Sequence, residues 1–270
     1  MDQRSKMLID AIRSLVPIRI RQDLGLWTIL QAGRSKFLLY PYFLFLCGKV
    51  PKNLNLLPDG TCYVEYEGTK VYAPRDGILA FVEVFQDKIY EKYGRPKKGD
   101  IVVDVGAYVG MFTVRASKLV GEKGTVTAVE PESTNLGLLR KNIQGLDNVE
   151  VLPIAASNKT CWGKLAISRA SACHTLTYNH AKTIDVQIST LDAVLKLKNI
   201  KKIDFLKIDA EGSELDILEG TRGFLEGGNV RMAIAVYHLK DEPKKVRAYL
   251  EGLGYRVILD KGYIYAEKTT

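Results

Sequence analysis

No two cysteines stand in a CxxC pair, no apolar run exceeds eleven residues, and no repeat or low-complexity tract interrupts the 270 residues. Each absence excludes something. Four dispersed cysteines (Cys47, Cys62, Cys161, Cys173) are not a disulfide framework, and they suit reduced thiols in a cytoplasmic protein. The longest apolar run, FLLYPYFLFLC at 37–47, is broken by Pro41 and falls short of the roughly 20 residues needed to cross a bilayer. Charges run through the first thirty residues, and no apolar stretch followed by a small-residue cleavage site is visible, so a secretory signal is not expected. Cys161, Cys173, His174 and His180 fall at intervals of no common finger or ribbon, so no metal is expected.

The composition, 46% hydrophobic, is enough for one core or one core with a small appendage. Net charge is +8 and unevenly spread: residues 1–60 carry nine Lys and Arg against four Asp, an excess of five. Such a segment is either the solvated face of a cap or a surface for acidic lipid, nucleic acid or an acidic substrate.

Met7, Leu8, Ala11, Ile12 and Leu15 recur at helical spacing and predict an amphipathic helix over 5–16. TCYVEY and KVYAP flank a tight turn, as in a β-hairpin, and residues 80–93 predict a helix with Phe81, Val82, Phe85, Ile89 and Tyr93 on its buried side. From residue 101 short apolar runs alternate with amphipathic segments. Strands are expected at 101–105, 125–129, 149–152, 203–208 and 230–237, with helices near 109–120, 132–143, 189–197, 213–226 and 241–252. YRVIL and YIYAE then form a closing hairpin. Residues 158–188 are polar and irregular and predict a long loop or hairpin inserted after the third strand. The fold class is therefore α/β: a doubly wound, mostly parallel, seven-stranded, Rossmann-like sheet with a closing antiparallel hairpin. Residues 79–270 form its domain, behind a small α+β extension at 1–78.

In IVVDVGAYVGMFT, residues 101–113, a strand turns through two glycines into a helix, an arrangement that aims backbone N–H groups and a positive helix end at a ligand beyond the sheet. Gly106 and Gly110 would admit close approach, with Ala107 small for the same reason. Asp104, alone in an apolar strand, would bond the turn's amides or a ligand amine, or simply hold the loop. The spacing is GxxxG rather than the GxGxxG of a dinucleotide fingerprint. Glu130, twenty residues after Gly110 in TAVEPE, can accept from both hydroxyls of a ribose, which fits an NAD-type or an S-adenosylmethionine-type site.

VVDVGAYVGMFT, TAVEPE, VEVLPIAAS, IDFLKIDAEGSELDILEG and AVYH follow one another in the order and at the intervals of the FkbM family of S-adenosylmethionine-dependent methyltransferases, which the sequence resembles over about residues 80–266. The closing hairpin suits that fold. The resemblance implies S-adenosyl-L-methionine as cofactor. Asp104, Gly106, Ala107 and Gly110 would hold its methionine end, Glu130 with Pro131 beside it the ribose, and Ala155 and Ala156 would lie near the adenine. Tyr108 stands where the family usually has Asn, and either covers the cofactor or faces outward. Asp209 and Glu211, two apart in KIDAEGSE, would share a face at the carboxyl edge, with His238 at the end of the next strand.

Methyl transfer to a hydroxyl needs alignment and a proton acceptor. Glu211 and His238 are the candidates, against the alternatives that Glu211 caps the next helix and His238 is a structural imidazole. Trp162, Tyr178, His174 and His180 would line the acceptor pocket. The leading expectation is O-methylation of a hydroxyl on a sugar, glycan or secondary metabolite. The alternatives are an RNA methyltransferase using the basic amino-terminal segment, a non-catalytic binding protein that docks through residues 1–57, and an NAD-dependent oxidoreductase.

Overall fold

A computed structural model describes residues 53–167, 174–176 and 182–268. The expected helix over 5–16 lies outside these residues, as do Cys47, Cys173, Tyr178 and His180. No helix among the described residues is long and apolar enough to cross a membrane.

The chain enters through a small antiparallel sheet, β1 (Leu54–Leu56), β2 (Thr61–Tyr66) and β3 (Thr69–Pro74). Glu67 and Gly68 both have positive φ, 46° and 77°, which is how a two-residue turn matches the twist of its strands. Asn142 clasps this hairpin to the rest: it accepts from the Tyr72 amide at 2.7 Å and donates back to the Tyr72 carbonyl at 2.7 Å. One compact unit runs from Asn53 onward.

The helix expected over 80–93 is instead a chain of short turns, with a four-residue α segment at Ile78–Phe81, a π turn at Val82–Gln86 and a 3-10 turn at Ile89–Glu91. Lys88, at φ 50°, breaks the helical path. The break re-phases the residues after it. Tyr90 turns inward at 5% exposure, while Tyr93, expected on the buried side, is 47% exposed.

From residue 101 the expected alternation is present. The strands are β4 (Ile101–Val105), β5 (Thr125–Val129), β6 (Val149–Leu152), β7 (Ala155–Ala156), β8 (Cys161–Ala166), β9 (Thr183–Ser189), β10 (Phe205–Ile208), β11 (Arg231–Ala235), β12 (Tyr255–Asp260) and β13 (Tyr263–Lys268). The helices are α1 (Met111–Val120), α2 (Ser133–Asn142), α3 (Leu191–Leu197), α4 (Glu214–Glu219), α5 (Arg222–Gly227) and α6 (Glu242–Gly252). The helix expected over 213–226 is thus two. A Cβ on Gly220 would lie 2.0 Å from the Ser157 carbonyl oxygen, and the Gly220 carbonyl accepts from the Asp192 amide. The chain kinks there to seat against two other segments.

The main sheet has the order β12-β13-β11-β10-β4-β5-β6. Its four pairings from β11 to β6 are parallel, and β13 runs antiparallel between β11 and β12. The chain winds outward from β4 through β5 to β6, then returns to lay β10 on the other side of β4. Ligands of such sheets bind at the carboxyl ends of the two strands flanking that reversal. Val103, Val105, Leu206, Ile208, Met232 and Ile234 share one core with Ile217, Leu218, Leu225, Val246 and Leu250 of the covering helices. The insertion after β6 is a hairpin, β8 against β9, and β9 also pairs in parallel with β7 to make a third sheet.

Candidate functional site

The turn after β4 rests on a buried ion pair. Lys207, in the middle of β10, is 4% exposed; its ammonium lies 3.0 Å from Asp104 Oδ1 and donates to the carbonyls of Gly106 at 2.7 Å and Val105 at 3.2 Å. Thr113 of α1 donates to Asp104 Oδ2 at 2.6 Å. Asp104 is therefore engaged by a lysine and a threonine rather than by the turn's amides, and it is not among the residues lining the crevice beyond the turn.

The glycines divide their work in a way that spacing cannot reveal. A Cβ on Gly106, at φ 69°, would lie 1.9 Å from the Asp209 carbonyl oxygen, so this glycine lets the loops after β4 and β10 touch. At Gly110 the obstacle is Leu139 Cδ1 of α2, 2.4 Å away, and Ala107 is buried with Ala128, Leu136 and Leu139. Those two positions serve packing of α2 against the turn. Nor do the amides of Gly106 and Ala107 face a ligand, since both donate to the Val129 carbonyl at 3.0 Å.

Beyond this turn lies a shallow crevice open to solvent. Gly106, Tyr108, Glu130, Pro131, Ala155 and Ala156 line it, with Asp209 and Glu211 at its other end and Leu165, His174 and Leu176 over it. Of the side chains expected to roof an acceptor pocket, His174 is there. Trp162 is on β8 with 75% of its surface exposed and is not a wall residue. Tyr108 has φ 55°, and its hydroxyl would block any Cβ on Gly77 at 2.6 Å, so it lies along the wall towards the entering chain.

Glu130 carries the strongest ligand signal. It is 5% exposed, and its Oε2 accepts from the Tyr108 amide at 2.9 Å while Oε1 accepts from the Glu132 amide at 3.0 Å and from Asn135 at 3.4 Å. Burial pushes its carboxyl up to about 7, against the pull of those three donors. A carboxylate offers about four acceptor sites, so a lone pair remains for a hydroxyl in the crevice. The small Ala155 and Ala156 leave room for a flat ring beside it. These residues fit a nucleoside.

At the other end a cluster forms around His238, whose side chain is 4% exposed. Glu211, at φ 52°, and Gly212, at φ 98°, make a left-handed turn, so it is this turn rather than an extended strand that brings the Asp209 and Glu211 carboxylates together. Nε2 of His238 lies 3.4 Å from Asp209 Oδ1 and 3.5 Å from Glu211 Oε2, and Nδ1 lies 3.1 Å from Glu214 Oε1. Tyr90 donates to Asp209 Oδ2 at 2.5 Å and Tyr237 to Oδ1 at 3.3 Å. Burial alone would lower the imidazole's pKa, but Asp209, Glu211 and Glu214 override it and hold the group well above its ordinary value.

Glu211 does not cap the helix, which has no side-chain cap; Glu214, its first residue, instead braces the preceding turn by accepting from the amides of Ala210 and Gly212, both at 2.9 Å. Thr175 ties the inserted sheet down by donating to the Glu211 carbonyl at 2.8 Å. Lys207, Tyr90, Glu214 and Tyr237 are site residues that sequence reading passes over. A lysine inside the apolar FLKI was a visible signal, as legible as Asp104 in IVVDV.

A crevice at the reversal with a buried carboxylate at the end of β5, and a sheet closed by an inserted antiparallel strand, define the class I methyltransferase fold. Residues 104–257 match the methyltransferase FkbM domain, and the chain belongs to that family. The 31-O-demethyl-FK506 methyltransferase FkbM of Streptomyces tacrolimicus is 28% identical over 68% of this chain and 84% of its own. The hexuronic acid methyltransferase AglP of Haloferax volcanii is 24% identical over 66% of this chain and 76% of its own. Methyltransferase 1 of Beauveria bassiana is 25% identical, and the match spans 64% of its length. A crystal structure of methyltransferase FkbM from Methylobacillus flagellatus KT superposes with a TM-score of 0.51 at 16% identity, covering 72% of this chain and 54% of that one.

Proposed function

We propose that this chain is an S-adenosylmethionine-dependent O-methyltransferase acting on a hydroxyl of a sugar, glycan or other small molecule. The observation that carries the reading is Glu130, a buried carboxylate with acceptor capacity facing the crevice at the end of β5. When bound, the cofactor supplies a methyl group activated on a sulfonium. Gly106 and Tyr108 would border its methionine end, Glu130 would accept from a ribose hydroxyl, and Ala155 and Ala156 would leave room for the adenine. Asp209 and Glu211 then border the acceptor end, where Glu211 receives the proton that the hydroxyl loses. His238, held charged by its carboxylates, orients them rather than acting as base. Two relatives support an oxygen acceptor on a small molecule, one named for a 31-O-demethyl substrate and one for a hexuronic acid.

Isothermal titration with S-adenosylhomocysteine tests the cofactor assignment: saturable one-to-one binding below millimolar concentration is expected, and its absence overturns the reading. Glu211→Gln should leave that affinity unchanged while slowing methylation of an accepted uronic acid glycoside.

A further inference from the structure

We propose that Asp209, Glu211 and His238 bind one first-row divalent cation at the acceptor end of the crevice. The proposal rests on the hydroxyl-acceptor reading for its chemical role, though not for the binding itself. Three groups from two elements converge. Asp209 Oδ1, Glu211 Oε2 and His238 Nε2 all lie within 4.8 Å of one another, with Nε2 at 3.4 and 3.5 Å from the two oxygens. Ligand atoms about 2.1 Å from a tetrahedral cation stand about 3.4 Å apart, so the imidazole-to-carboxylate spacings match a cation bound among them.

The surroundings are those of a metal-binding imidazole. Its other nitrogen, Nδ1, lies 3.1 Å from Glu214 Oε1, and Glu214 is itself anchored by the Ala210 and Gly212 amides. A bound cation would displace the Nε2 proton of the imidazolium while Glu214 keeps Nδ1–H, so that Nε2 presents its lone pair to the metal. Asp209 Oδ2 accepts from Tyr90, while Oδ1 faces His238 at 3.4 Å and also accepts a longer bond from Tyr237 at 3.3 Å. Glu242 is the further carboxylate behind the ring, its Oε2 4.0 Å from Nδ1.

The donor set is two carboxylates and one imidazole, with net charge of minus two, and Asp209 and Glu211 both front the crevice. Such a set suits Mn2+ or Zn2+ better than a soft metal, and leaves positions open for an exogenous oxygen. The role that follows is to polarise the acceptor hydroxyl. Its O–H bond breaks with the proton passing to the second oxygen of Glu211, the O–CH3 bond forms, and the C–S electron pair stays on sulfur.

The experiment is a titration of the full chain with Mn2+, read as loss of the free-ion signal in electron paramagnetic resonance, followed by displacement with Zn2+. One site with a dissociation constant below about 100 μM is expected. His238→Gln and the partly exposed Glu211→Gln should each weaken it at least about tenfold, as loss of a ligand does. S-adenosylhomocysteine affinity, measured without metal, should be unchanged in both variants and reports that they are folded. No saturable binding of either ion, or binding that both variants retain, overturns the proposal and shows that a proton alone holds the three groups together. Metal binding without S-adenosylhomocysteine binding would instead remove the cofactor assignment and leave the cation site standing.

Discussion

A charge in the middle of a parallel sheet has no water to turn to, so Lys207 and Asp104 must satisfy one another. Breaking such a pair leaves one charge stranded, a loss of about 3–5 kcal/mol. Lys207→Met should lower the unfolding free energy by that amount in urea denaturation, and should also loosen S-adenosylhomocysteine binding because the Gly106 carbonyl loses its donor. Glu130 offers a second test at this scale. Its folded carboxyl titrates near 7 and its unfolded one near 4.5, so between those pH values the folded state holds a proton that the unfolded chain lacks. Stability from this group is therefore present at the acid end and falls as pH rises through that window, by up to about 3 kcal/mol. Glu130→Gln should flatten the wild-type slope there, as the difference between two urea series will show. Ribose hydroxyls favour the ionised form, so S-adenosylhomocysteine should bind the wild type more tightly at pH 8 than at pH 5.5, and Glu130→Ala should cost roughly tenfold or more in affinity. The sequence pattern names Asp104 and Glu130 as unusual; the lysine that answers the first comes from a strand about a hundred residues further on.

Elements were legible to the degree that their periodicity had no competitor. The strands at 101–105, 125–129 and 149–152 and the closing hairpin fall where alternation and turn residues put them. The segment 80–93 does not, because its helical pattern ignored what the break at Lys88 accomplishes: it delivers Tyr90 to Asp209. Lys88→Gly should remove the left-handed strain and raise stability by about 0.5–1 kcal/mol without moving Tyr90, measured by thermal unfolding. Gly220 makes the opposite case. Propensity favours replacing it, yet a Cβ would press on the Ser157 carbonyl, so Gly220→Ala should destabilise by about 1–3 kcal/mol.

On the scale of the molecule, the strand order does the positioning. Returning β10 to the side of β4 opposite β5 brings Gly106 against Asp209, and placing β11 next to β10 brings His238 behind it. Ligand bound there touches loops from four strands and should stabilise the domain as a whole. At a hundredfold excess over its dissociation constant, S-adenosylhomocysteine should add about 2.7 kcal/mol and raise the melting temperature by about 5–10 °C in a thermal shift assay. NAD at the same excess over that constant should leave it unmoved.

Local chemistry along the chain was enough to decide the α/β class, the parallel order of alternating elements, the bend at Gly106 and the acidic residue at the end of β5, because each depends on neighbours a few positions away. The split roles of the glycines, the lysine under the turn and the carboxylate box around His238 depend on which loops meet across the sheet. Those meetings are set by side chains packing between segments far apart in sequence, and only the folded chain decides them.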